Sequence, residues 1–191
     1  MRRRRINQAG WSAILAGAIL FTTGVGAGVG LAGQGNASVD GFQTTEFVAM
    51  KTVPLDVELQ KHVYQIAQEY GLDWTLLLAV MQKESHFKPY TVSDSGDYGL
   101  MQINRINFSR LSVEAGVNDF LDPRENVRAG AYLLSQLMGK YQDPNMALMA
   151  YNMGESGAAE FWEKGIYTSA YSREVINIQR ELKRVGKEIT V

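Results

Sequence analysis

An all-α domain with one small turn or hairpin excursion, preceded by an N-terminal hydrophobic helix, is the fold class predicted by these 191 residues. Three observations predict it. From Leu55 onward, apolar residues recur with a helical period almost throughout. Asp73, Asp122-Pro123 and Asp143-Pro144 supply acidic caps, two of them with proline at the first helical position. Only the stretch 91–103, rich in serine and glycine, breaks the pattern for long enough to make a hairpin.

The N-terminus comes first. Arg2 to Arg5 precede a run without a charged side chain from Ile6 to Val39, longer than the roughly 20 residues that span a bilayer. Arginines on that side keep the N-terminus in the cytoplasm and send the rest outward. Two outcomes fit. A cleaved signal peptide would use Ala13–Phe21 as its apolar region and the small residues near Ala37 for cleavage, whereas a retained anchor would use Trp11 to Leu31. The expected divisions are 1–33 for the signal or anchor, 34–54 for a polar, glycine-containing linker ending at Pro54, and 55–191 for the folded domain.

Within the domain, Val57, Val63, Ile66, Ala67 and Tyr70 share one face of a first helix, which Gly71 ends. Asp73 caps a second helix whose Leu76–Met81 run is apolar on most sides, so it is expected at the centre. A third follows Asp122-Pro123 and a fourth runs from Asp143-Pro144 to Gly154, with a short one over Gly157–Lys164. The last carries Val175, Ile178 and Leu182 on one face and a basic C-terminal turn that suits its dipole.

Composition excludes several functions. Without residues 1–37 the chain has fifteen basic against twenty acidic residues, a net charge of about −5 that suits no polyanion, so no nucleic-acid partner is expected. Cysteine is absent, which removes disulfides, thiolate nucleophiles and cysteine metal sites. His62 and His86 are too few for a metal cage, and no phosphate-binding glycine motif occurs. No cofactor is therefore expected.

The chemistry concentrates in residues 83–104, "KESHFKPYTVSDSGDYGLMQIN". Glu84 ends the apolar helix. A carboxyl half-buried there gains pKa and can stay protonated near neutrality, ready to act as a general acid. The plain alternative is a surface glutamate paired with Lys83, His86 or Lys88. Gly99 permits close approach of backbone to a ligand, and Gln102 is a lone amide in an apolar run, the mixture of surfaces that sugars need.

This stretch resembles the ES…GLMQ signature of the soluble lytic transglycosylase family, also called SLT or goose-type lysozyme-like domains. The matching positions are Glu84-Ser85, Pro89, Ser93 and Gly99-Leu100-Met101-Gln102. Ala150-Tyr151-Asn152-Met153-Gly154 is similar to that family's Ala-Tyr-Asn-x-Gly block, and Thr168 with Tyr171 to its Thr-x-x-Tyr block. The blocks occur in family order across residues 72–176.

The resemblance implies a lysozyme-like fold with the hairpin lining a cleft. It also implies cleavage of the β-1,4 bond from N-acetylmuramic acid to N-acetylglucosamine in peptidoglycan, without water, to leave 1,6-anhydromuramyl ends. By it Glu84 is the single catalytic acid, and Ser93, Met101, Gln102, Tyr151, Asn152 and Tyr171 line the sugar subsites. The departure from the family pattern is Asp97, since "DYGLMQIN" is similar to the "DYGILQIN" of animal c-type lysozymes, whose aspartate is a second catalytic carboxylate. Asp97 is thus either a turn residue or the second acid of a hydrolytic muramidase; a wall-binding module without catalysis is a third reading. Implied partners are glycan strands, the membrane through the N-terminal segment, and, in some such domains, an envelope-spanning machine. The expected location is outside the cytoplasm, anchored or secreted.

Overall fold

In the computed structural model, which describes residues 53–188, the elements follow one another as six α-helices interrupted by one two-stranded ribbon. Helix α1 (Val57–Glu69) starts at Asp56, whose carboxylate accepts from the Leu59 amide at 2.8 Å. Such a cap stabilises a helix by about 1 kcal/mol. Because the cap places Val57 in the first turn, that side chain points to solvent, 44% exposed. Leu59 and Gln60 take the inner face with Val63, Ile66 and Ala67. The sequence reading of that face is corrected at its first residue.

Helix α2 (Trp74–Ser85) is capped by Asp73, which accepts from the Thr75 amide and hydroxyl at 2.9 and 2.6 Å. Every residue from Leu76 to Met81 is at most 5% exposed. A helix apolar on all sides must be surrounded, and α2 is the axis of the core as the sequence predicts. Strands β1 (Asp97–Tyr98) and β2 (Ile103–Asn104) pair antiparallel, Asp97 opposite Asn104 and Tyr98 opposite Ile103. This is the expected excursion. A 3-10 turn, Arg105–Asn107, capped by Asn104, then leads into α3 (Phe108–Glu114), a short helix that the sequence periodicity did not mark.

Helices α4 (Pro123–Tyr141) and α5 (Pro144–Trp162) begin at the expected acidic caps. Asp122 accepts from the Arg124 and Glu125 amides, both at 2.9 Å, and Asp143 from Met146 at 3.0 Å. Helix α5 is bent at Gly154 (φ 75°, ψ 160°), a backbone conformation essentially reserved for glycine. The separate helix expected over 157–164 is the arm beyond that bend. Helix α6 (Ala170–Glu188) packs along α2, with Val175 wholly buried and Leu182 nearly so.

Helix α4 in turn packs on α1 and α5, which completes a helical shell around α2. Among the described residues no helix is long and apolar enough to cross a membrane. The predicted N-terminal hydrophobic helix lies outside the described residues.

Candidate active site

The site begins where α2 stops. His86 (φ 51°) and Phe87 (φ 61°) both adopt the left-handed conformation and turn the chain sharply after Glu84-Ser85. Ser85 fixes that turn. Its buried hydroxyl lies 3.1 Å from the Met81 carbonyl and 2.9 Å from the Leu100 carbonyl, so the helix end is fastened to the loop that follows β1. The Glu-Ser pair therefore has a division of labour: one side chain faces the cleft and the other anchors its wall.

Glu84 lines a cleft of about 540 Å³ together with Asp97, Gln102, Asn104, Tyr151 and Asn152. Its Oε1 accepts a 2.5 Å hydrogen bond from the hydroxyl of Tyr171, on α6. Burial raises the Glu84 pKa above its ordinary value. The Tyr171 bond offsets part of that rise, the negative charge of Asp97 adds to it, and Lys83 opposes it. The alternative of a surface glutamate paired with its neighbours does not describe this side chain. Lys83 reaches instead to Glu174 at 2.6 Å, and His86 is exposed.

Asp97 shares the cleft but is held differently. Its Oδ2 accepts from the hydroxyls of Ser93 and Ser95, both at 2.7 Å, and its Oδ1 from the Asn104 amide at 2.7 Å. Partial burial alone would raise this carboxyl, but the three hydrogen bonds more than offset it and hold its pKa below the ordinary value. Two carboxylates thus line one cavity with their pKa values pushed apart, the pattern that separates a proton donor from a fixed anion.

The other predicted residues divide into two groups. Tyr151 and Asn152 line the cleft, Asn152 exposed at its rim. The Tyr151 hydroxyl donates to the Met101 carbonyl at 2.9 Å, and burial with the nearby charges of Glu84 and Asp97 raises its pKa well above the ordinary value. Gln102 also lines the cleft. Its backbone is left-handed (φ 47°), and its amide donates to the Thr91 and Gly99 carbonyls at 3.2 and 2.8 Å. Met101 does not reach the cavity: it is wholly buried, its side chain lying against Gly130 of α4. Ser93 is occupied with Asp97, accepting from the Asp97 amide at 3.0 Å as well as donating to the carboxylate.

Four important residues escaped the sequence reading. Asn126, wholly buried on α4, accepts from the Met101 amide at 2.9 Å and donates to the Tyr98 and Phe120 carbonyls at 2.7 and 2.8 Å. A Cβ at Gly99 would run into this amide, which explains the glycine. Asn104 holds Asp97. Arg110 and Glu155 also line the cleft, Glu155 paired with Lys140 and accepting from the Tyr141 hydroxyl at 2.5 Å. A polar side chain at each of these positions was the only signal for them. Among the described residues no three His, Asp or Glu side chains come together as a metal site would need.

Comparison with known proteins follows the same stretch of chain. A family profile described as Transglycosylase SLT domain matches residues 62–174. The membrane-bound lytic murein transglycosylase F of Serratia proteamaculans (strain 568) is 42% identical over 90 residues, covering 44% of this chain and 18% of that protein. A protein named transglycosylase from Enterobacteria phage PRD1 is 37% identical over 123 residues, 64% of this chain and 43% of its own. The chain thus spans about a fifth of the bacterial relatives it matches and under half of the phage protein. Among solved structures, lytic transglycosylase Slt of Pseudomonas aeruginosa superposes with a TM-score of 0.57 at 21% identity, covering 72% of this chain and 25% of that one. That likeness concerns the fold.

Proposed function

This chain belongs to the transglycosylase SLT domain family, and on that premise we propose that it cuts peptidoglycan between N-acetylmuramic acid and N-acetylglucosamine, with Glu84 as its one proton-transferring group. The observation that carries the reading is a half-buried carboxyl, raised in pKa, oriented by Tyr171 and facing a sugar-sized cleft. Protonated Glu84 gives its proton to the glycosidic oxygen as the bond to C1 breaks. The carboxylate left behind takes the proton of the C6 hydroxyl on the same muramic acid, and that oxygen closes on C1. The product is a 1,6-anhydro end, Glu84 is protonated again, and no water enters. A nucleophile already attached to the substrate makes one acid sufficient.

A second reading draws on Asp97. An ionised carboxylate lining the same cleft fits the base or nucleophile of a muramidase, in which two carboxyls flank the bond. In the lyase, Asp97 is instead a fixed negative charge beside the acid. Mass spectrometry of sacculi digested by the full chain separates the two. The lyase leaves anhydro ends, lighter by one water than the reducing ends of a hydrolase. Asp97→Asn should cost a lyase less than tenfold in kcat and a hydrolase about a hundredfold or more. Binding to sacculi without release of any fragment would overturn both in favour of a wall-binding module.

The setting belongs to the same proposal. Residues 1–33 act as signal or anchor, 34–54 as linker and 55–191 as the catalytic domain, working outside the cytoplasm.

A further inference from the structure

Tyr171 holds Glu84 from the second residue of α6, inside the first turn of that helix. A first turn has amides without helical partners and is where helices fray. The chain leading into it gives little support, since every residue from Glu163 to Thr168 is exposed. Something else must keep the turn, and with it the 2.5 Å bond to the acid, in place.

Two serines begin the work. The Ser169 hydroxyl accepts from the Ser172 amide and the Ser172 hydroxyl from the Ser169 amide, both at 3.0 Å. This is a reciprocal cap closed by serine where glutamate or glutamine is usual. Such a cap closes the turn on itself without placing it in the molecule. The hydroxyl proton of Ser172 does the placing. It is donated to Asn145 Oδ1 at 2.9 Å, nearer than the Ser169 carbonyl at 3.3 Å. Asn145 stands in the first turn of α5, six residues before Tyr151 and seven before Asn152 of the cleft wall. Ser172 is wholly buried, so a hydroxyl deprived of that acceptor would be left short of a partner away from water. One hydrogen bond thus ties the start of the helix that carries Tyr171 to the start of the helix that carries the wall.

Resting on the function proposed above, we propose that Ser172 and Asn145 are positioning residues for the proton transfer, their hydrogen bond fixing the first turn of α6 so that Tyr171 stays on Glu84. Neither side chain lines the cleft, and both act through the tyrosine. Among the influences on Glu84, burial and the charge of Asp97 raise its pKa, while the Tyr171 bond and Lys83 lower it. The tie governs the Tyr171 bond alone.

The test follows kcat of the full chain across pH on solubilised peptidoglycan. Asn145→Ala removes the acceptor and leaves the serine cap intact. Its kcat at the optimum should fall about tenfold with little change in KM. The alkaline limb of its profile should move to higher pH, because Glu84 loses a bond that favours its charged form. Ser172→Ala should do both at least as strongly. In a Tyr171→Phe background, where the bond is already gone, neither substitution should move the limb again. A limb unmoved by Asn145→Ala, or moved further in the Tyr171→Phe background, would overturn the positioning role and leave the glycan-cleaving function intact. A limb moved by Ser172→Ala alone would overturn it too, since the cap without the tie would then suffice. A wild-type chain that releases no fragments would overturn that function, and this proposal with it.

Discussion

Glu84 and Asn126 show two ways in which a single side chain governs the cleft. Glu84→Gln keeps the shape and removes the transferable proton. Fragment release should fall by at least a thousandfold, while the melting temperature holds or rises, as turnover assays and calorimetry would register. A variant with near-full activity would mean that another acid does the work. Asn126→Ala acts on the frame. It strips partners from the Met101 amide and the Tyr98 and Phe120 carbonyls, at a cost of about 3 kcal/mol. Urea denaturation should register that loss, with activity falling at temperatures where the fold still holds. Glu84 was singled out in the sequence because it closes an apolar run and matches the Glu-Ser of the family resemblance; its position alone left a surface glutamate open. Asn126 was not, since its three partners come from elsewhere in the chain and a lone asparagine in a helix looks solvated.

At the scale of elements, helix α6 is the strap that brings Tyr171 to Glu84. Two ion pairs, Lys83–Glu174 and Lys183–Asp73, join it to α2 and the α2 cap along the buried contact of Val175 and Leu182. Exposed pairs of this kind contribute about 0.2–1 kcal/mol each and weaken in salt. Glu174→Gln should lower stability by that amount and reduce kcat a few-fold. Raised ionic strength should do the same to the wild type and less to the variant, in a salt series of initial rates. If the variant and the wild type respond to salt alike, the pair does not position the tyrosine. Helix starts were easy to read because an Asp-Pro cap is a local signal. Helix α3 was not, because its seven residues bury only Leu111 and show no period. Val57 was misassigned for a related reason: the cap at Asp56, rather than periodicity, decides where the first turn points.

For the molecule as a whole, the carboxyls give stability a predictable dependence on pH. Asp97 is lowered despite partial burial. So is Asp73, where burial is outweighed by hydrogen bonds from Lys183 and Thr75. Around the unfolded value of about 4 the native state binds fewer protons at these two sites than the unfolded chain. Their contribution is present above that pH and lost as pH falls through the lowered native values. Glu84 runs the other way: its contribution is complete below its unfolded value and is lost as pH rises through the raised native one. Urea midpoints measured from pH 2 to pH 8 should climb through the acid range and then level off or decline. Asp97→Asn should flatten the climb, and Glu84→Gln should remove the decline. The helical shell could be read from pattern and the cleft was implied by the family resemblance, whereas the anchoring of the cleft wall could not be read, because it depends on contacts between distant segments.

One consequence follows from Asn126 holding the Met101 amide, twenty-five positions before it. Shuffling this gene with a cousin at a crossover between codons 101 and 126 would separate tenon from mortise. Such hybrids should emerge as insoluble or idle proteins unless both parents place asparagine there, however well their catalytic motifs agree.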